Sequence, residues 1–335
     1  MSRTTLEDIA RATGYSKAVI SRVLNGKAED YRISATTVQT ILQACEEQAY
    51  RPNVIAQNLR NQTTKSIGLI VPYINYSFFG HLSAVIIAKA YKYGYVVSEL
   101  ASMENTDLER KALDTLLDRN VDGILIAPCS PDPANLQEVA RHVPLIQIDR
   151  YFNDAGLSYI STNNYEGAKM AMQQLIGMGH RNIHCIRGVL SAITTQERVR
   201  GVIDAAAEAG DVNLTVSGDD FSIQNGYVET KICIHAPEPP TAIFTLNNSI
   251  LLGAIKALRE VGKRIPQDIS LISFDDNSYL DFMNPPITRM VQPIDSICTA
   301  AVKLLMKEID NKTLPDVQLL MSPTIVKRES IKNVR

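Results

Sequence analysis

The chain has 335 residues, enough for two or three structural units. Its 45% hydrophobic and 21% charged content is that of a globular protein. No apolar leader at residues 1–5 and no run of about 18 apolar residues argue against export and a membrane span, and place it in the cytoplasm. Net charge is −2, but residues 1–65 carry +3 and the remainder −5, a small basic part joined to a larger acidic one.

Residues 4–49 read as three short helices between polar turns. Thr5 and Asp8 have capping-box spacing, so a helix starts there, with Leu6, Ile9 and Ala10 on one face. Gly14 suits a left-handed turn, and Ser16 can cap a second helix whose Ile20, Val23 and Leu24 point inward. Lys17, Ala18, Ser21, Arg22 and Asn25 then share the outward side, as a helix entering the major groove of double-stranded DNA requires. Arg22 can pair with guanine O6 and N7, Lys17 can donate to the same edge, and Ala18 can meet a thymine methyl. Ser16, Ser21 and Asn25 are suited to phosphates, which fix register without reading sequence. A helical hairpin with a solvated polar face has the same pattern and is the plain alternative.

Residues 50–65 are polar, open with Arg51-Pro52-Asn53, and read as a linker containing a helical turn. From Ser66 the pattern becomes β then α. Strands are expected at 67–71, 95–99, 123–127, 145–148, 183–186, 212–216, 242–246 and 269–274, with helices including 78–92, 107–119, 166–177, 195–209 and 249–261. Continuous apolar strands alternating with helices imply parallel sheets covered on both faces. About 270 residues fit two doubly wound α/β lobes better than one sheet, with a ligand outside the carboxyl ends of the strands. No Gly-rich phosphate loop, nucleophile elbow or zinc-protease motif occurs. The five cysteines (Cys45, Cys129, Cys185, Cys233, Cys298) are scattered and read as small buried hydrophobes, so no metal and no cofactor are expected.

The helical segment 5–25 resembles the helix-turn-helix of the LacI/GalR (lactose-repressor) family of transcriptional regulators. Tyr50-Arg51-Pro52-Asn53-Val54-Ile55-Ala56-Gln57-Asn58-Leu59 is similar to the family's hinge helix, and Lys65-Ser66-Ile67-Gly68-Leu69-Ile70-Val71-Pro72 to the start of its core. Gly179-His180-Arg181-Asn182-Ile183, Pro240-Thr241-Ala242-Ile243-Phe244 and the stretch from Ile269 to Asp276 continue the likeness.

The resemblance implies a helix-turn-helix domain at 1–49, a hinge at 50–65 and an effector-binding and dimerisation core at 66–335 of periplasmic-binding-protein type. The core's N-lobe would span about 66–160 and 292–318, its C-lobe about 161–291 and 319–335. Thr5 and the outward residues of the second helix would contact DNA together with Asn53, Ala56 and Leu59 of the hinge, Leu59 wedging between base pairs at a cost repaid by the bent duplex. Between the lobes, Phe78, Phe79, Asp149, Thr194, Arg198, Phe221, Asn247 and Asp275 would hold the effector. A sugar or sugar acid suits paired hydrogen bonds to vicinal hydroxyls and an aromatic on the ring face; a purine is the less favoured ligand. A homodimer, with a tetramer as the alternative, would repress from a near-palindromic operator in the cytoplasm at the nucleoid, and effector binding would alter hinge pairing allosterically.

The chain also departs from the family. The connection from Asn25 to Ser34 is longer than usual, Asn248 stands where Asp is common, Asn163-Asn164 replaces Asp-Asn, and Cys298 replaces a frequent Gly. Two rivals are an enzyme acting on a sugar, which would need a catalytic motif, and a transport binding protein, which would have no use for residues 1–60.

Overall fold

The computed structural model describes residues 4–50, 63–311 and 317–335. The chain divides into two compact units, Met1–Thr64 and Lys65–Arg335.

In the first unit, α1 (Leu6–Thr13) begins at a full capping box: the Asp8 N–H donates to Thr5 Oγ1 at 3.3 Å and the Thr5 N–H to Asp8 Oδ2 at 2.9 Å. Gly14 ends it at φ +74°, the left-handed conformation that glycine adopts without a Cβ penalty. Ser16 caps α2 (Lys17–Leu24), and Ser34 caps α3 (Ala35–Glu47). Ile9, Ile20, Val23, Ile41 and Cys45 form the buried core, with Leu6, Ala10 and Leu24 packed against it.

The second unit alternates strand and helix. Its first part comprises β1 (Ser66–Val71), α4 (Ser77–Lys92), β2 (Val96–Ala101), α5 (Thr106–Asp118), β3 (Gly123–Ile126), α6 (Ala134–Ala140), β4 (Leu145–Ile148) and β5 (Tyr159–Thr162). The chain continues through α7 (Asn164–Gly177), β6 (Asn182–Ile186), α8 (Ile193–Ala209), β7 (Asn213–Ser217), α9 (Ile223–Ile234), β8 (Ala242–Thr245), α10 (Asn248–Glu260), β9 (Ser270–Phe274) and β10 (Thr288–Val291). It closes with α11 (Ile294–Asn311), β11 (Gln318–Met321) and β12 (Thr324–Val326).

Two six-stranded sheets result, ordered β11-β5-β4-β3-β1-β2 and β12-β10-β9-β8-β6-β7. The first is parallel throughout; the second is parallel except for the antiparallel β10–β12 pair. β3, β4, β8 and β9 are buried along their whole length because helices cover both faces, which is why they read as largely apolar runs without strict alternation. Close packing is visible at Gly68, where a Cβ would stand 2.4 Å from the Leu116 side chain of α5.

The order β1 to β5 in the first sheet matches β6 to β10 in the second, so β4 and β9 hold equivalent places. The chain passes between the sheets three times: after Thr162, after Val291, and between Met321 and Thr324. β5 and β11 thus run past the expected changes of lobe at 160 and 318. Strands β5, β10, β11 and β12 were not among the eight expected runs. Each is three or four residues long, and β5, β10 and β12 mix threonine, serine or arginine with apolar residues.

Candidate nucleic-acid interface and ligand cavity

On α2 the predicted reading residues are presented to solvent. Ser16, Lys17, Ala18 and Arg22 are exposed, and Ser21 and Asn25 are half-buried. Several polar groups already have work within the helix ends. The Thr5 hydroxyl donates to Asp8 at 2.6 Å, and Ser16 Oγ accepts from the Val19 N–H at 3.4 Å. The Asn25 amide turns back on Ser21, 3.2 Å from its hydroxyl, and closes the helix. Lys17 and Arg22 differ more instructively. Lys17 Nζ lies 2.8 Å from Glu7 Oε2, and this hydrogen-bonded ammonium holds the Glu7 carboxyl below its usual range. Arg22 instead lays its guanidinium over the Tyr31 ring, 3.9 Å from the centroid. Asn53, Ala56 and Leu59 lie outside the described residues.

In the second unit, one cavity of about 530 Å³, its mouth included, brings all eight expected ligand residues together: Phe78, Phe79, Asp149, Thr194, Arg198, Phe221, Asn247 and Asp275. Three of them, Asp149, Asn247 and Asp275, stand where parallel strands end. Asp149 follows β4 and Asp275 follows β9, the equivalent strands, and both have left-handed backbones at φ +61° and +77°. Aspartate tolerates that conformation better than most residues, and such strain concentrates at ligand sites.

Between these carboxylates lies Arg198, on the second turn of α8 and only 4% exposed. Its Nε donates to Asn164 Oδ1 at 2.7 Å and its Nη1 to the Leu246 carbonyl at 2.5 Å, while Nη2 stands 3.8 Å from Asp275. The Phe274 ring flanks the guanidinium at 3.8 Å. Burial pushes both aspartates up, Asp149 to about 6, against the pull of Arg150 and Arg198 on Asp149 and of Arg198 on Asp275. Gln292 donates to Asp275 at 2.6 Å and accepts from Thr162 Oγ1 at 2.5 Å, so its amide orientation is fixed at two of the points where the chain changes sheets.

The aromatics do not play equal parts. Phe79 belongs to the core of the first sheet, and Phe78 packs against that core and stands edge-on to Phe79 at 5.1 Å. Phe221 lies close over Gly188, where a Cβ would come within 2.2 Å of the ring. Asn247 caps α10 through Oδ1 and donates to the Phe221 carbonyl at 3.3 Å, so it also anchors the aromatic wall. Glu104, Arg150 and Gln292, not among the expected residues, also line the cavity. Arg150 grips Glu104 with two bonds, at 2.8 and 2.5 Å. Its neighbour Asp149 was the available signal; Gln292 follows a strand with no distinctive pattern, and Glu104 stands three residues beyond β2 with nothing local to mark it.

The family model for bacterial regulatory proteins of the lacI family matches residues 5–53, and that for a periplasmic binding protein-like domain matches residues 172–331. The chain is 31% identical to the HTH-type transcriptional repressor PurR of Pasteurella multocida over 98% of this chain and 99% of that protein. It belongs to the lacI family of bacterial regulatory proteins. As a member it is a DNA-binding transcriptional regulator with a ligand-binding core. The fold is similar to that of the lac repressor dimer solved with operator and the anti-inducer ONPF, with a TM-score of 0.90, 24% identity, and 99% and 100% of the two chains covered. A lacI-family regulator from Enterococcus faecium, solved with bound ribose, matches with a TM-score of 0.74 and 25% identity over 81% of this chain and 100% of that one.

For a regulator of this family the Lys17–Glu7 pair has a testable consequence. An exposed pair of this kind adds little stability and can be exchanged for a phosphate. Glu7→Gln is expected to tighten binding to specific and random duplexes alike by a few-fold at about 0.1 M salt, with the gain shrinking as salt rises. Fluorescence anisotropy across a salt series measures it, and a gain confined to one sequence would contradict the exchange.

The substituted positions have defined neighbours. Asn163 caps α7, Asn164 accepts from Arg198, Asn248 donates to the Asp276 carbonyl, and Cys298 is buried beside Leu82. Among the described residues no group of three or more His, Cys, Asp or Glu could hold a metal ion, and no helix is long and apolar enough to cross a membrane.

Proposed function

We propose that this chain is a homodimeric, non-enzymatic repressor whose DNA affinity is set by a neutral sugar held between the two lobes of its core. Residues 1–49 would read each half of a near-palindromic operator through Lys17, Ala18 and Arg22, residues 50–65 would form the hinge, and 66–335 the effector core, acting in the cytoplasm. The observation that carries the ligand class is the state of the two cavity arginines. Arg150 commits both terminal nitrogens to Glu104, and Arg198 is engaged by Asn164, Leu246 and Asp275. A carboxylate ligand would have to displace half-buried Glu104 from Arg150 or buried Asp275 from Arg198, leaving that acid without its partner. Neutral hydroxyls instead donate to Asp149 and Asp275 while the Phe221 ring covers an apolar sugar face. The ribose held by the Enterococcus faecium regulator is a ligand of this kind.

Thermal-shift titration with ribose and other neutral monosaccharides, their acids and purine bases tests the reading. A neutral sugar is expected to raise the melting temperature and to change affinity for operator. Phe221→Ala should lose that response and keep the ligand-free DNA affinity. A shift given by a sugar acid or a purine, and by no neutral sugar, would overturn the proposal.

The Asp149 carboxyl gives a pH signature. Its pKa is raised by burial to about 6, so its contribution to stability is present below the ordinary value near 3.8 and is lost as pH rises through about 6. The ligand-free core should therefore become less stable across that interval, while hydroxyl donors favour the ionised form and bind more tightly. Calorimetry is expected to show sugar affinity increasing from about pH 5 to about pH 7. Asp149→Asn should flatten the profile, and an unchanged slope in that variant would exclude Asp149 as its source.

A further inference from the structure

We infer that Tyr31, in the long connection between α2 and α3, positions the Arg22 guanidinium for base reading and is a determinant of operator specificity. This rests on the assignment of Arg22 to base reading in the proposed function. The longer connection is where this chain departs from its family, and it is an ordered turn. At its start the Gly26 N–H donates to the Val23 carbonyl at 3.0 Å and the Lys27 N–H to the Arg22 carbonyl at 2.9 Å, with Gly26 at φ +69°. At its end the Ile33 N–H donates to the Ala28 carbonyl at 2.9 Å and the Arg32 N–H to the Glu29 carbonyl at 3.0 Å, Arg32 taking φ +53°. Ala28 and Ile33 both pack against the core of Ile9, Ile20, Val23, Ile41 and Cys45. Tyr31 is therefore held between two anchors. It remains 51% exposed, with its ring against the Arg22 guanidinium.

The chemistry of the stack decides what this arrangement does. Glu29 and Asp30 neighbour Tyr31 in the same connection, yet among the described residues no ion pair joins either of them to Arg22. A carboxylate would occupy the in-plane N–H donors that guanine O6 and N7 need. A ring face attracts the cation while leaving those donors in the guanidinium plane unspent. Stacking also removes part of the rotameric freedom that a long side chain loses on docking, and it fixes the plane in which a bidentate contact must form.

The test uses the full-length chain and a duplex selected by the wild type from a random pool, together with its single base-pair variants and a random duplex. Tyr31→Phe keeps the ring and is expected to retain wild-type discrimination. Tyr31→Ala is expected to lower discrimination at one base pair of each half-site by about two- to fivefold, with affinity for random duplex unchanged. Tyr31→Leu keeps apolar bulk without a π face and should match the alanine variant, which separates loss of the stack from loss of loop packing. In the Arg22→Ala background, Tyr31→Ala should cause no further loss. Wild-type discrimination in Tyr31→Ala, an equal loss on all duplexes, or a Tyr31→Phe protein as impaired as Tyr31→Ala would each overturn the inference. If Arg22→Ala itself discriminates like the wild type, the assignment of Arg22 fails and the inference with it.

Discussion

An Arg22→Ala protein is expected to lose specific operator recognition while keeping its ligand-induced rise in melting temperature. One bidentate arginine–guanine contact contributes about 1–3 kcal/mol of discrimination, and a dimer uses it twice. The combined loss of about 2–6 kcal/mol corresponds to between about thirtyfold and about twenty-thousandfold in affinity for the selected duplex. Random duplex should suffer much less, because Arg22 would there serve only as one positive charge. The first unit has its own core of Ile9, Ile20, Val23, Ile41 and Cys45, and Arg22 lies on its exposed face, so the alanine should fold normally. Operator binding indistinguishable from wild type would mean that another part of the chain reads the bases.

Arg198→Leu is expected to be the most damaging single change in the second unit. Arg198 stands between Asp149 and Asp275, all three nearly inaccessible to water. Removing one partner from a buried ion cluster typically costs about 3–5 kcal/mol, because the remaining carboxylates lose a counterion that water cannot replace. For a core of this size that lowers the melting temperature by very roughly 6–20 °C. The loss has a definite pH dependence. Without the guanidinium the two carboxyl pKa values rise further, so more of their ionised form must be neutralised as pH increases. Melting curves at pH 5 and pH 8 should show the larger deficit at pH 8, together with loss of the sugar response at both. An equal deficit at the two pH values would show that Arg198 acts by packing alone.

What could be read from the sequence was mostly what is local. Thr5 and Asp8 are three residues apart, Gly14 needs no distant partner to turn left-handed, and the inward positions of α2 follow from helical spacing. Asp149, Asn247 and Asp275 were legible because each terminates an apolar run, and in parallel sheets such ends face the ligand. Arg150 and Glu104 were not, because their pairing joins residues 46 apart in sequence and nothing near Glu104 marks it as a partner. β10 escaped because Thr288 and Arg289 interrupt its apolar character; Arg289 is buried through ion pairs to Asp276 and Asp281 that only the fold supplies. Gln292, one residue beyond β10, was hidden with it. The longer connection before α3 was visible as a departure, but the stack of Tyr31 on Arg22 depends on how the turn folds back.

The bonds of Gln292 bear on how occupancy is transmitted. Thr162 ends the first passage of the chain out of one sheet, Gln292 begins the return, and the amide ties their strands together while holding Asp275 on the cavity floor. A guest that draws the Asp275 carboxylate towards itself would therefore pull on the residues where the chain crosses from one sheet to the other. The cavity wall at Asp275 and the crossing between the sheets are a single hydrogen-bonded piece, so a ligand felt at one would be felt directly at the other.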